Sequence, residues 1–163
     1  MAVIIRKLQE EDIDGICFLW DEFAKVREEQ TRSRILNDDA ADYFFGYATG
    51  LLQRKDTLTL VADDGGEVVG YLIVQKQRRP PIYRHTRVGY VSDAFVAKTH
   101  RRQGILRKFI AEVHTWANNE GISALDVQIF NSNATAIEIY RTMGFHDYRL
   151  LLRHELDADP PSG

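Results

Sequence analysis

Apolar positions along this chain change period several times, and each change marks an element. Residues Val3–Leu8 (VIIRKL) form an apolar run of strand length. Glu10, Glu11 and Asp12 follow, where the positive end of a helix dipole favours acids. Ile13, Ile16, Cys17 and Trp20, continued by Phe23 or Ala24, then repeat at helical spacing. A second helical stretch covers Ala40–Arg54, with Tyr43, Phe44, Tyr47 and Leu51 on one face. Thr57–Ala62 and Glu67–Gln75 predict two strands, and Asp63-Asp64-Gly65-Gly66 between them predicts a hairpin turn. Pro80-Pro81 breaks the pattern into a loop. Arg87–Val96 predicts another strand. A helix follows over about Arg102–Ala117, with Ile105, Leu106, Phe109, Ile110, Val113 and Trp116 on its apolar face. Gly121 ends that unit, and Ala124–Phe130 is again strand-like. Asn133 suits the cap of a helix running to Met143, with Gly144 just past its end. A last strand is expected within Phe145–Leu156, and Asp157–Gly163 reads as a polar, flexible tail. No repeat or linker interrupts the series. The pattern predicts one α/β domain over residues 1–163, its C-terminal half alternating strand and helix on a mixed sheet.

Composition narrows the function classes. The chain has 163 residues, 44% hydrophobic and 28% charged, with a net charge of −3. These values exclude a disordered chain, a collagen-like fibre and a strongly basic nucleic-acid packer. No apolar run approaches the roughly 20 residues needed to span a bilayer, and MAVIIRKL is too short an apolar opening for a signal peptide. No membrane partner is expected. A lone cysteine, Cys17, excludes an internal disulfide and points to a reducing, cytoplasmic setting. Its apolar helical neighbours make it a core residue rather than a nucleophile. The five histidines, at 85, 100, 114, 146 and 154, have no metal-ligand spacing, so no metal is expected. Asn133-Ala134-Thr135 fits a glycosylation acceptor, an accidental match without a secretory signal. Charge is unevenly placed. Residues 9–42 hold eleven acids and four bases, while residues 76–87 (KQRRPPIYRHTR) hold five bases and no acid. The first block suits either a solvated helix face or a surface that attracts cations. The second is a small basic loop on an acidic protein, and no nucleic-acid partner is expected from it.

The sharpest local feature is the run from Val96 to Arg107. A strand ends at Val96, and a helix opens near Gly104 after a turn containing Arg101, Arg102 and Gln103. Free N–H groups at a helix start, glycine and clustered arginines together suit a phosphate or pyrophosphate. Neither a P-loop nor a dinucleotide fingerprint is present. The stretch Arg101-Arg102-Gln103-Gly104-Ile105-Leu106 resembles the phosphate signature of the GNAT superfamily of acetyl-CoA-dependent N-acetyltransferases, with Leu106 where Gly or Ala is usual. Asn133-Ala134-Thr135-Ala136-Ile137-Glu138-Ile139-Tyr140-Arg141-Thr142-Met143-Gly144-Phe145 is similar to that family's Asn-x-x-Ala-Ile-x-x-Tyr-x-x-x-Gly-Phe segment.

The resemblance implies a mixed, twisted sheet of about seven strands flanked by about four helices, with acetyl-CoA as cofactor. It implies that Phe95 and Val96 pair through their backbone with the pantetheine arm. The backbone of Arg102, Gln103, Gly104, Ile105, Leu106 and Arg107, beside Arg101, holds the pyrophosphate. Asn133 contacts the arm, Ala136 packs near it, and Tyr140 lies by the thioester sulfur as general acid. By pattern alone Tyr140 reads as a core aromatic; Asn133 and Gly144-Phe145 turn the reading towards the site. The acceptor is expected to be an amine of a small molecule or peptide, cationic if the acidic block faces it. Its base is open between Tyr90, which stands where histone-type members have glutamate, Asp93 and a water chain. Strict alternation aims Asp93 away from Tyr90 unless a bulge intervenes. The rival reading is a CoA-binding sensor or scaffold of the same fold without turnover. Family members often pair through the last strand, so Tyr148–Leu152 (YRLLL) implies a homodimer.

Overall fold

The computed structural model describes residues 2–30, 36–154 and 156; the tail expected at 157–163 lies outside the described residues. Its strands are β1 (Ile4–Lys7), β2 (Thr57–Asp64), β3 (Glu67–Arg78), β4 (Arg87–Val96) and β5 (Ala124–Val127). Its helices are α1 (Ile13–Gln30), α2 (Ala40–Leu51), α3 (Ile105–Asn119) and α4 (Ala134–Thr142). The strands lie in one sheet in chain order, antiparallel from β1 to β4 and parallel between β4 and β5.

Local chemistry accounts for most of these elements. Gly65 and Gly66 both take positive φ, at 64° and 99°, and close the β2–β3 hairpin that their left-handed freedom allows. Alternation along β2 sends Leu58, Leu60 and Ala62 to one face and Val61 to the other. The first face packs on Ile105, Phe109, Ile110 and Val113 of α3 and on Tyr140 of α4. The second packs on Ile13, Ile16 and Leu19 of α1 and on Phe44, Ala48 and Leu51 of α2. Gly15 lets α1 approach the sheet, since a Cβ there would lie 2.9 Å from Val68 Cβ.

Two expectations are corrected. Tyr43 is not on the buried face of α2; it is 81% exposed. The described sheet has five strands rather than about seven, and Phe145–Leu156 contributes none of them. A strand needs a neighbouring backbone to bond with. The described residues of this segment are held instead through side chains, by Arg141 on Asp147 at 2.9 Å and by Arg79 over the Tyr148 ring at 5.6 Å. Leu150, Leu151 and Leu152 stay exposed. No helix among the described residues is long and apolar enough to cross a membrane.

One polar clip joins three elements. Arg6 on β1 donates to both carboxylate oxygens of Asp12, at 2.6 and 2.8 Å, and its Nε donates to Asp63 at 2.9 Å. Asp12 is 2% exposed and also accepts from the Gln9 backbone N–H. These paired carboxylates raise the Arg6 pKa, which stays charged throughout. Asp12→Ala strips Arg6 of its bidentate partner. It should lower stability by about 2 kcal/mol, the usual range for hydrogen bonds to a charged group, as read by urea unfolding.

Candidate active site

The register between β3 and β4 slips by one residue at a single point. Ile73 faces Asp93 and Val74 faces Val91, so Ser92 is extra, a bulge whose hydroxyl donates to Ile73 O at 3.4 Å. The slip reverses the alternation. Tyr90 opposes Gln75 and Asp93 opposes Ile73, so both side chains point to the α1–α2 face. Strict alternation had separated them; the bulge brings them to the same side. The pairing of β4 with β5 also ends at Val91 and Val127. Beyond that point, among the described residues, Ser92–Val96 keeps β3 on one side and has no strand on the β5 side. The two parallel strands part there, and their carboxyl ends lead to the N-termini of α3 and α4. In open α/β sheets such a crevice is the usual ligand position.

A cavity of about 620 Å³ opens on the α1–α2 side, and Asp93 lies at its β4 wall. Trp20 stacks on Phe44 at 4.5 Å with 10° between planes, and Phe44 leans on Tyr47 at 5.9 Å. Tyr47 accepts from Gln75 Nε2 at 3.0 Å. Burial first, and then the charge of Asp93, push its phenol pKa up, against hydrogen bonds with Gln75 and Ser92. Tyr90 has its hydroxyl 3.5 Å from Gln128 Oε1.

The anion-suited turn is built from backbone. Arg102 has φ 63° and Gly104 φ 75°, both left-handed. Arg101, Arg102, Gln103 and Gly104 are exposed, and a Cβ at Gly104 would meet nothing within 4 Å. The first helical hydrogen bond of α3 runs from Lys108 N–H to Gly104 O, and no side chain caps this end. The N–H groups of Ile105, Leu106 and Arg107 therefore precede the helical ladder and face open space with the helix dipole behind them. The Leu106 side chain packs into the α3 core cluster and leaves its N–H on the turn. Ile105 is buried, and Arg107 reaches Thr142 at 3.4 Å. Arg101 folds back, donating from Nε to Val96 O at 3.0 Å and lying 5.4 Å over the Phe95 ring. On α4, Asn133 caps the helix by accepting from Ala136 N–H at 3.1 Å. Its amide nitrogen is not used in that bond.

Tyr140 is 6% exposed, in the core cluster of the α3 face and edge-on to Phe145 at 5.1 Å. Burial pushes its pKa up to about 12. It thus stands on the other face of the sheet from Asp93 and Tyr90. Periodicity did not single out Tyr47, Trp20 or Tyr43 as site residues, because aromatics at helical spacing read as core. An aspartate three residues after Tyr90 on one strand was the available signal for the bulge.

The model of the acetyltransferase (GNAT) family matches residues 18–145 of the chain. An uncharacterized N-acetyltransferase, YobR of Bacillus subtilis, is 31% identical over 67 residues, 38% of this chain; the match spans 27% of that relative. A solved mutant of the BH1408 protein from Bacillus halodurans superposes with a TM-score of 0.82 at 18% identity, covering 94% of this chain and 99% of its own. The structure of AAC(6')-Iy with the bisubstrate analog CoA-S-monomethyl-acetylneamine superposes with a TM-score of 0.73 at 17% identity, covering 95% and 99%.

The burial of Tyr140 has a pH signature. Its folded pKa lies above the ordinary value of about 10, so the unfolded chain releases this proton first. Stability from this group is whole below about pH 10 and falls as pH rises towards about 12. In a phenolate absorbance titration, Tyr140→Phe should leave the amplitude near pH 10 unchanged and remove amplitude only near pH 12. A loss of amplitude near pH 10 would place Tyr140 in contact with water.

Proposed function

The chain belongs to the acetyltransferase (GNAT) family, and we propose that it moves an acetyl group from acetyl-CoA to an amine by direct attack in a ternary complex. The observation that carries this reading is the parting of β4 from β5 at the Ser92 bulge, with a basic, uncapped helix start at one end and an acid-bearing cavity on the α1–α2 side. The open left-handed position at Gly104 fits a diphosphate lying against the α3 turn. When bound, the cofactor supplies an acetyl carbonyl activated as a thioester.

The chain's own residues divide the remaining work. The N–H groups of Ile105, Leu106 and Arg107 hold the diphosphate, with Arg101, Arg102 and Gln103 around it. The free edge at Phe95–Val96 and the Asn133 amide align the arm beside Ala136. Asp93, with Tyr90 on the same face, receives the proton that the amine loses on attack. Tyr140 would donate to the sulfur as it leaves. Its phenol, with a pKa of about 12, holds its proton at neutral pH and is therefore in the donor form. The acceptor arrives past α1 and α2, whose acids favour a cation. We also propose a cytoplasmic setting and a homodimer through Tyr148–Leu152, whose leucines are exposed. A monomeric mass by light scattering at high concentration overturns the dimer.

Two variants test the site. Gly104→Glu puts a charged side chain into the open space at the helix start. It should weaken CoA by at least about tenfold, or roughly 1.4 kcal/mol, by calorimetry, while the circular dichroism of the parent is kept. Tyr140→Phe should leave CoA affinity alone and lower kcat by about a hundredfold, the low end for general acid catalysis. Unchanged kcat removes the acid role. CoA binding with no thiol release from any amine favours a non-catalytic module.

A further inference from the structure

From the walls of the cavity beside Asp93 we infer that the acceptor is an amine on a flat, apolar body, an arylalkylamine in class, rather than a polyhydroxylated aminoglycoside. The inference rests on the acetyl-transfer reading and adds the substrate class. Three rings, Trp20, Phe44 and Tyr47, run in contact along the α1–α2 side, and Tyr43 stands at the mouth. Tyr43 is 81% exposed, an uncommon place for a large ring with no packing task. The polar side chains of the lining besides the tyrosine hydroxyls are two carboxylates, Asp93 on β4 and Asp39 at the start of α2, and the amide of Asn37. Asp39 occupies the capping position of α2, makes no side-chain cap bond and lines the cavity.

These walls sort ligands by how many polar groups they carry. An aromatic face attracts an ammonium and the flat body next to it. It offers nothing to a hydroxyl, which loses its water and gains no partner there. A sugar ring with several hydroxyl and amino groups needs a polar partner for each, and Asn37, Asp39 and Asp93 are few against that number. An amine with one cationic head places that head at Asp93 and its body along the rings. The β-bulge makes this arrangement possible, since Asp93 shares the face of Ile73 only because of the extra Ser92.

The test uses the full chain with acetyl-CoA and three acceptors: 2-phenylethylamine, spermidine and neamine. Thiol release should give kcat/KM for 2-phenylethylamine at least about tenfold above either of the others, the scale on which unpaired polar groups discriminate. Tyr43→Ala, at an exposed position that threatens no folding, should raise KM for 2-phenylethylamine about fivefold and alter kcat less. Binding without turnover is read separately. With Trp116→Phe as background, Trp20 is the remaining indole, and its fluorescence should respond to 2-phenylethylamine and not to neamine. Higher kcat/KM or tighter binding for neamine or spermidine overturns the inference. If no amine is acetylated but 2-phenylethylamine still perturbs Trp20, the acetyl-transfer reading fails and the cavity's preference stands.

Discussion

One extra residue in β4 governs the architecture of the candidate site. Pairing in an antiparallel ladder fixes which side each residue faces, and inserting Ser92 shifts that assignment for everything after it. Asp93 moves to the face of α1 and α2, and Ala94 and Val96 turn to the face of α3. At the same level β4 loses β5 as its neighbour. Among the described residues, β4 runs on from this level with β3 alone as its neighbour, which leaves an opening on the β5 side. The helix starts of α3 and α4, the aromatic cavity and Tyr140 take their meaning from that opening.

The site also shows how burial and polarity are divided between its two sides. On the α3 face Tyr140 sits in apolar company with Phe145 and Phe109, where a charge is unwelcome and the proton is kept. On the α1–α2 face Tyr47 is also pushed up by burial, but it has Gln75 and Ser92 as polar company and a carboxylate nearby. The two phenols thus differ in surroundings, one in a dry setting and one among polar partners.

Much of the fold was legible because its signals are local. Gly65-Gly66 closes a hairpin wherever it stands between two strands, and the six-residue apolar stripe of α3 admits one face. The cap at Asn133 and the positive φ at Gly144 (92°) follow from side-chain and backbone chemistry within a few residues. The candidate phosphate turn was legible for the same reason. What escaped depends on partners distant in the chain. The direction of Asp93 is set by its pairing with Ile73, twenty residues earlier. Tyr43 repeats with Phe44 and Tyr47 at helical spacing, yet α1 reaches only the latter two. The strand expected after Phe145 has a suitable composition, but composition supplies no neighbouring backbone.

The Arg6 clip has a further consequence. Asp12 opens α1 and Asp63 lies near the end of β2, so the two carboxylates bracket the whole stretch that carries α1 and α2. One guanidinium grips that stretch at both ends, as a single pin closes a loop of cord. The clip lies on β1, the strand farthest from β5 in the sheet, yet it borders the turn that opens α3. Asp64, next to the clipped Asp63, lies 3.1 Å from His100 Nε2, and Lys108 Nζ donates to Val3 O at 3.2 Å, so the pin that closes the loop also adjoins the candidate phosphate turn.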